Sequence, residues 1–308
     1  MSTKIDVKLI LALFGVAIIW GTTYLGIRIA VQTIPPWFVT AIRQSIASII
    51  LLLILLYKGQ LKWTGWAHLK RQMLLSLLMV VIANGFTTVA EQTIPSGLTS
   101  LLNSLVPIIV FIASVIIGLQ KASWQGFIGV TLGFLGVAFI FRNGLSDLLD
   151  PNYKIGIMFL GMAVCGWAVG TLYIKKNVHH SNNILLDLFY QFIFAAVVQW
   201  MLAFVFSGDT ILQSWTFNSF FAVVYLGVFG SVFGFLCYHY ALKKVTAVKA
   251  SILSYFNTVI AITLGWLVLD EVITIDVVIA TILIILGVFI TNYSNKRYTP
   301  ATLSNKRI

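Results

Sequence analysis

The stretch Ile94–Val137, IPSGLTSLLNSLVPIIVFIASVIIGLQKASWQGFIGVTLGFLGV, lies without a gap over Val245–Val288, VTAVKASILSYFNTVIAITLGWLVLDEVITIDVVIATILIILGV, when the chain is slid by 151 residues. Ser100 falls on Ser251, Leu102 on Leu253, Gln120 on Glu271 and Gly136-Val137 on Gly287-Val288. Few residues are identical, but the hydropathy agrees throughout: an apolar run, a short polar break, a second apolar run. At a neighbouring offset of 147, Trp20, Tyr24 and Arg28 lie over Trp167, Thr171 and Lys175. A self-similarity of this length divides the chain into two like halves, and it must be read before any single element is.

Working outward, the 308 residues are 59% hydrophobic and 9% charged, with a mean hydropathy of +0.98. Soluble domains carry about 25% charged residues, so the chain reads as an all-α, polytopic membrane protein whose surroundings are the lipid bilayer. A spanning helix needs about 20 mostly apolar residues. Ten segments meet that need: roughly 8–30, 36–57, 73–92, 96–119, 124–141, 155–175, 184–206, 217–241, 246–269 and 273–293. The break from Arg142 to Lys154, with Asp147, Asp150 and Pro151, separates the halves. The expected organisation is therefore a first five-helix repeat in 1–141, a linker in 142–154, a second repeat in 155–293 and a C-terminal tail in 294–308.

The charges give an orientation. The formal net charge is +11, which by itself suggests nucleic acid, but its placement follows topology instead. With the N-terminus on one side, 16 of the 20 Lys and Arg fall on that side, among them Lys58, Lys62, Lys70, Arg71, Lys243 and Lys244. The other side receives Arg142 and Lys154, and Arg28 and Arg43 fall at or inside helices. Asp147, Asp150, Asp209, Asp270, Glu271 and Asp276 lie opposite the positive loops. By the positive-inside rule both termini are cytoplasmic. An odd number of helices per half then makes the second half enter the membrane from the opposite face. Inverted repeats of this kind build secondary transporters, with substrate sites near the bilayer midplane between the halves.

Charged groups inside a membrane are costly and mark functional sites, although Lys and Arg near helix ends snorkel to the interface. In helix 1, Trp20, Tyr24 and Arg28 share one face by their four-residue spacing, bordered by Gly21 and Thr23. Helix 6 repeats the stripe with Trp167, Thr171 and Lys175. Both stripes fit cavity lining or packing. Helix 3 carries Asn84, Thr87, Thr88 and Glu91 on one face, and Tyr238 and His239 of helix 8 lie over Thr87 and Thr88. Glu91 and His239 are the candidate proton-coupling groups; the bland readings are a solvated helix cap and an interhelical hydrogen bond. Helices 4 and 9 echo each other in Ser96, Ser100, Asn103, Ser104 and Pro107 against Ser251, Ser254, Tyr255, Asn257 and Thr258. The hydroxyls suit close helix packing, Asn103 and Asn257 suit substrate contact, and Pro107 is expected to bend helix 4. Arg43 requires a partner or water, and Glu91 is one choice. In helix 5, Gly126, Gly129, Gly133 and Gly136 form a small-residue face for packing within the chain or in a homodimer.

Other classes find little support. Cys165 and Cys237 each sit in an apolar run and read as core packing, with no metal site and no disulfide framework. The sequence has no GxxxxGK[ST] loop for ATP, and no HExxH or GxSxG constellation of a membrane protease or lipase. No cofactor is expected, nor any enzyme activity. His179-His180 reads as a solvated turn, and Asn292-Tyr293-Ser294 as a glycosylation triplet on the wrong side. A non-transporting sensor is disfavoured by the short loops.

With Ile19-Trp20-Gly21-Thr22-Thr23-Tyr24, Pro35-Pro36 ahead of Arg43, Gly97 through Pro107 to Gly118, Ala241-Leu242, Ala250-Ser251 and Leu269-Asp270-Glu271, the chain resembles the drug/metabolite transporter superfamily, specifically its EamA-type exporters, over nearly its full length. The family often has a Gly-Glu pair between helices 4 and 5. Here that place holds Leu119-Gln120 followed by Lys121, so a first-half loop carboxylate is missing while Glu271 remains in the second half. The resemblance implies a central cavity lined by helices 1, 3, 4, 6, 8 and 9, with helices 5 and 10 as packing or dimer elements. It also implies export of amino acids or related small metabolites across a bacterial inner membrane. Within such a cavity Arg28, Arg43 or Lys175 would attract a carboxylate. Trp20, Tyr24, Trp167 and Tyr238 would enclose the apolar part, and Asn84, Asn103 and Asn257 would orient the cargo. A nucleotide-linked metabolite or a drug is the alternative cargo on the same architecture.

Overall fold

The computed structural model describes residues 6–140, 151–177, 183–207, 215–251, 253–270 and 273–295. Arg142, Asp147, Asp150, His179, His180, Asp209 and Glu271 lie outside the described residues. Among those described, the secondary structure is helical without strands. A chain in hydrocarbon must satisfy its backbone groups within each segment, and a helix does so.

Among the described residues eight helices are long and apolar enough to cross a bilayer: α1 (Val7–Ala30), α2 (Pro36–Tyr57), α3 (Trp66–Ala90), α4 (Ser96–Ile116), α6 (Pro151–Lys176), α7 (Ile184–Ser207), α8 (Phe217–Lys244) and α9 (Ala247–Leu269). Two further helices complete the halves: α5 (Trp124–Ile140, 17 residues) and α10 (Ile275–Asn295, 21 residues). At 1.5 Å per residue, α5 is at the short end of what spans about 30 Å.

Local chemistry sets the helix starts. The Asp6 carboxylate accepts from the Leu9 backbone N–H at 3.1 Å and caps α1. Pro36 takes the first position of α2, where a missing N–H costs nothing. Gly118, at φ +73, turns the chain after α4 in the left-handed region that glycine tolerates. Helix α3 begins at Trp66, seven residues ahead of the apolar window that opens at residue 73. Its first two turns carry His68, Lys70, Arg71 and Gln72 and continue the helix past the apolar layer. Helix α4 is interrupted at Ser104-Leu105, just before Pro107, whose ring removes a donor and crowds the preceding turn.

Contacts between helix ends fix the relative directions. Lys244, the last residue of α8, pairs with Asp6 at the start of α1. Lys175, near the end of α6, donates to the Leu242 and Val245 carbonyls at 2.9 and 2.6 Å. The start of α1 and the ends of α6 and α8 therefore share one end of the bundle, hereafter the Asp6 end. At the opposite, Arg28 end, the Arg28 guanidinium donates to the backbone carbonyls of Glu91 and Gln92, and Thr216 donates its N–H to Thr33 Oγ1 at 3.2 Å. Helix α6 thus runs antiparallel to α1, its counterpart in the repeat.

Packing repeats the same exchange. Helix α1 packs on α8 and α9, and α6 packs on α3 and α4. The first helix of each half therefore lies against the third and fourth helices of the other. Helix α2 packs along its counterpart α7, and α5 along its counterpart α10. The small-residue face of α5 is used within the chain. A Cβ at Gly136 would meet Ile284 at 2.8 Å, and one at Gly287 would meet the Gly129 carbonyl at 2.5 Å.

Helices α3 and α8 share a further irregularity. Each contains a stretch wound as a π-helix, Ser76–Gly85 and Leu226–Phe233. Such widened turns are rare and cluster at functional sites. The first lines the central cavity with Ala83 and Asn84, and the second holds the cavity residues Trp20 and Arg43 through Gly230 and Ser231.

Candidate functional site

The central cavity has a volume of about 90 Å³ and lies where the two halves meet. From α1 it is lined by Trp20, Thr23, Tyr24 and Ile27, and from α3 by Ala83, Asn84 and Thr87. Helix α4 supplies Asn103 and Val106 on either side of its break, and α9 supplies Ser251, Ser254 and Asn257. Arg43 of α2, Trp167 of α6 and Tyr238 of α8 complete it. Among the described residues none of α5 or α10 takes part.

The aromatic wall is a mutual contact of three helices. The Trp20 and Trp167 rings meet edge-to-face at 5.0 Å, and the Tyr238 ring lies 5.0 Å from Trp20 and 5.3 Å from Trp167. Edge-to-face pairs at this separation are favourable beyond the area they bury. The polar tips are tied down. Trp20 Nε1 donates to the Gly230 carbonyl at 3.0 Å, inside the widened turn of α8. The Tyr238 and Thr171 hydroxyls are 2.7 Å apart. The aromatic wall is therefore rigid.

Arg43 is 2% exposed. Its Nε donates to Ser231 Oγ at 2.8 Å, while its Nη1 has no hydrogen-bond partner among the described residues. A guanidinium carries five donors in a fixed fork and stays charged. Leaving a buried donor of this kind unmet is expensive. Glu91, fully buried rather than a solvated cap, acts electrostatically on both Arg43 and Tyr24.

The three asparagines present the opposite capacity. Asn84 Nδ2 donates to the Met79 carbonyl at 2.8 Å, five residues back along the widened turn, and Asn103 Nδ2 donates to Thr99 at 3.1 Å. In the orientation that satisfies Asn257, its nitrogen donates to the Leu253 and Ala17 carbonyls at 2.9 and 3.0 Å. Both N–H groups of Asn257 and one each of Asn84 and Asn103 are used in this way, and each amide oxygen is an acceptor. The cavity therefore offers one cationic donor and several acceptors between aromatic faces.

Of the ten residues expected to touch substrate, Trp20, Tyr24, Arg43, Asn84, Asn103, Trp167, Tyr238 and Asn257 line this cavity. Arg28 and Lys175 do not. Both reach outward along their helices to cap the carbonyls of a neighbouring chain segment, Arg28 on Glu91 and Gln92, Lys175 on Leu242 and Val245. Long flexible side chains one turn from a helix end find such acceptors readily. The two coupling candidates also separate: Glu91 acts on the central site, whereas His239 lines a different cavity towards the Asp6 end. Sequence reasoning missed Ser231, the partner of Arg43; its trace was a lone hydroxyl flanked by Gly230 and Gly234 within an apolar run. Cys165 is exposed on the outer face of α6 rather than packed in a core, and both cysteines are free. Among the described residues no group of three or more His, Cys, Asp or Glu could hold a metal ion.

Comparison with known proteins agrees with this architecture. The chain matches the EamA-like transporter family twice, over residues 7–142 and 154–293. It is 28% identical to the uncharacterized transporter YoaV of Bacillus subtilis, over 94% of this chain and 99% of that one. It is 32% identical to the uncharacterized inner membrane transporter YedA of Escherichia coli K12, over 82% of this chain and 80% of that one. Protein PagO of Salmonella typhimurium is 27% identical over 94% of this chain. A solved crystal structure superposes with a TM-score of 0.72 at 17% identity, covering 94% of this chain and 99% of its own, which shows a shared fold. Two matched repeats, a multi-pass helical bundle and a polar cavity enclosed between the halves have one common reading: the chain is a membrane transporter and belongs to the EamA-like family.

Proposed function

We propose that the protein exports small polar metabolites, foremost amino acids, through the central cavity. The observation that carries this reading is the buried Arg43 guanidinium with an unmet Nη1 donor in the wall of a cavity otherwise rich in acceptor oxygens. An α-amino acid presents the complement: a carboxylate for Arg43 and an ammonium for the oxygens of Asn84, Asn103 and Asn257. The volume of about 90 Å³ is far below the 300–1,000 Å³ typical of pockets for drug-sized ligands, which weighs against the drug and nucleotide alternatives. In this reading α5 and α10 also cross the bilayer, giving ten spans in two inverted five-helix repeats. The Asp6 end faces the cytoplasm, as the Lys and Arg distribution requires, in an inner membrane.

The direct test is uptake of a panel of labelled amino acids into proteoliposomes, with and without an imposed pH gradient. Saturable uptake of at least one member is expected. Trp20→Ala and Trp167→Ala are each expected to lower it at least tenfold, because either truncation opens the rigid aromatic wall. Uptake of none would remove amino acids as cargo. Proton coupling, where present, passes through Glu91, the buried carboxylate acting on the cavity. Glu91→Gln is expected to make flux insensitive to the gradient; an unchanged response would exclude that role.

A further inference from the structure

Towards the Asp6 end, α3, α6, α7 and α8 enclose a second cavity of about 40 Å³ that shares no lining residue with the central one. His239 lines it and is 7% exposed. Its Nδ1 lies 3.0 Å from the Phe235 carbonyl. A carbonyl only accepts, so Nδ1 carries the proton and Nε2 presents a lone pair. That Nε2 is buried without a hydrogen-bond partner among the described residues. Asp187, 5% exposed, pairs with His68 Nε2 at 2.9 Å. Arg71 and Lys243 line the same cavity from α3 and α8. Its floor is braced across the two halves by Gln191 Nε2 donating to Gln72 Oε1 at 2.7 Å.

An unmet acceptor, a carboxylate and two cations lining one small cavity repeat in reduced form the charge pattern of the central site. We infer that this cavity is a second, loading site for the α-amino-acid headgroup at the cytoplasmic end, its ammonium on His239 Nε2 and Asp187 and its carboxylate on Arg71 and Lys243. The inference rests on the amino-acid reading of the central cavity. The small volume admits the headgroup and little more, so the site reads the class of the cargo while the central aromatic wall meets its side chain.

The test uses the full chain in nanodiscs and equilibrium binding of labelled glycine and L-alanine, the smallest members of the class. Wild type is expected to bind two equivalents per chain. Arg71→Gln and His239→Leu are each expected to bind one and to raise the KM for uptake at least fivefold. Arg71→Lys should restore the second equivalent, and because Arg71 is partly exposed its variants report binding rather than folding. Arg43→Gln is expected to remove the other equivalent. One equivalent in wild type, lost with Arg43→Gln and unaffected by Arg71→Gln and His239→Leu, would overturn the loading site and leave the central site standing. Two equivalents that both survive Arg71→Gln and His239→Leu would place the second elsewhere and equally overturn it. No binding of either probe to wild type would bring down both readings.

Discussion

Arg43→Gln is expected to lower amino-acid uptake by roughly a hundredfold while the protein remains folded. Removing one partner from a buried, desolvated charge contact costs about 2–5 kcal/mol, and roughly 1.4 kcal/mol is a factor of ten. The substitution keeps a hydrogen-bonding amide near Ser231 but withdraws the positive charge and the unmet Nη1 donor. Its signature is selectivity. Wild type should prefer an amino acid over the corresponding amine that lacks the carboxylate; Arg43→Gln should transport both poorly and alike. Arg43→Lys keeps a charge without the planar fork and should recover only part of the flux. Ser231→Ala, which frees the Nε that Ser231 now holds, should cost about tenfold by loosening the guanidinium. A lipophilic cation as true cargo would give the opposite sign, since removing Arg43 would then raise uptake. The thermal midpoint of the purified variant is the control.

Eight of the ten candidate residues could be placed on the cavity wall from sequence because a helix face is legible. The four-residue spacing of Trp20 and Tyr24, and the repeat that carries Trp20 onto Trp167, place these side chains on one side of their helices whatever the tertiary context. Counterpart helices pack along each other only in part: α2 lies along α7 and α5 along α10, whereas α1 and α6 pack on the third and fourth helices of the other half. A face does not tell where a long side chain ends. Arg28 and Lys175 share the stripes, yet their terminal groups reach carbonyls at the ends of α3 and α8. The widened turns of α3 and α8 leave no composition signal, because they follow from a one-residue slip in the hydrogen-bond ladder rather than from residue type. The same slip supplies the acceptors for Trp20 and Asn84. The second cavity was hidden for another reason. His68 and Asp187 are ordinary polar residues at the starts of helices in different halves, and only the docking of α7 on α3 joins them into a buried pair.

Gly287→Ala is expected to be the most destabilising single-methyl addition in the second half. The new Cβ would lie 2.5 Å from the Gly129 carbonyl and 2.7 Å from the Gly133 nitrogen, both backbone atoms of α5. A side-chain neighbour could rotate away; a helix backbone moves only as a unit, so α5 and α10 must separate along their length. Overpacking of a tight core costs about 1–3 kcal/mol, and a contact against backbone belongs at the top of that range, a fall of roughly 6–10 °C in the thermal midpoint. Gly161→Ala is the matched control: it too lies within a long helix, but its Cβ would meet nothing within 4 Å. There the lost chain entropy of glycine should leave stability unchanged or raise it by about 0.4–1 kcal/mol. Because no described residue of α5 or α10 lines the central cavity, Gly287→Ala protein that remains folded should keep its KM. The pair of variants also separates the two uses of a glycine face in α5. Packing within the chain predicts a lower midpoint at unchanged particle mass in detergent. A homodimer built on that face predicts instead a fall in mass with the midpoint of the single chain preserved, and that result would displace α10 as the partner of the glycines.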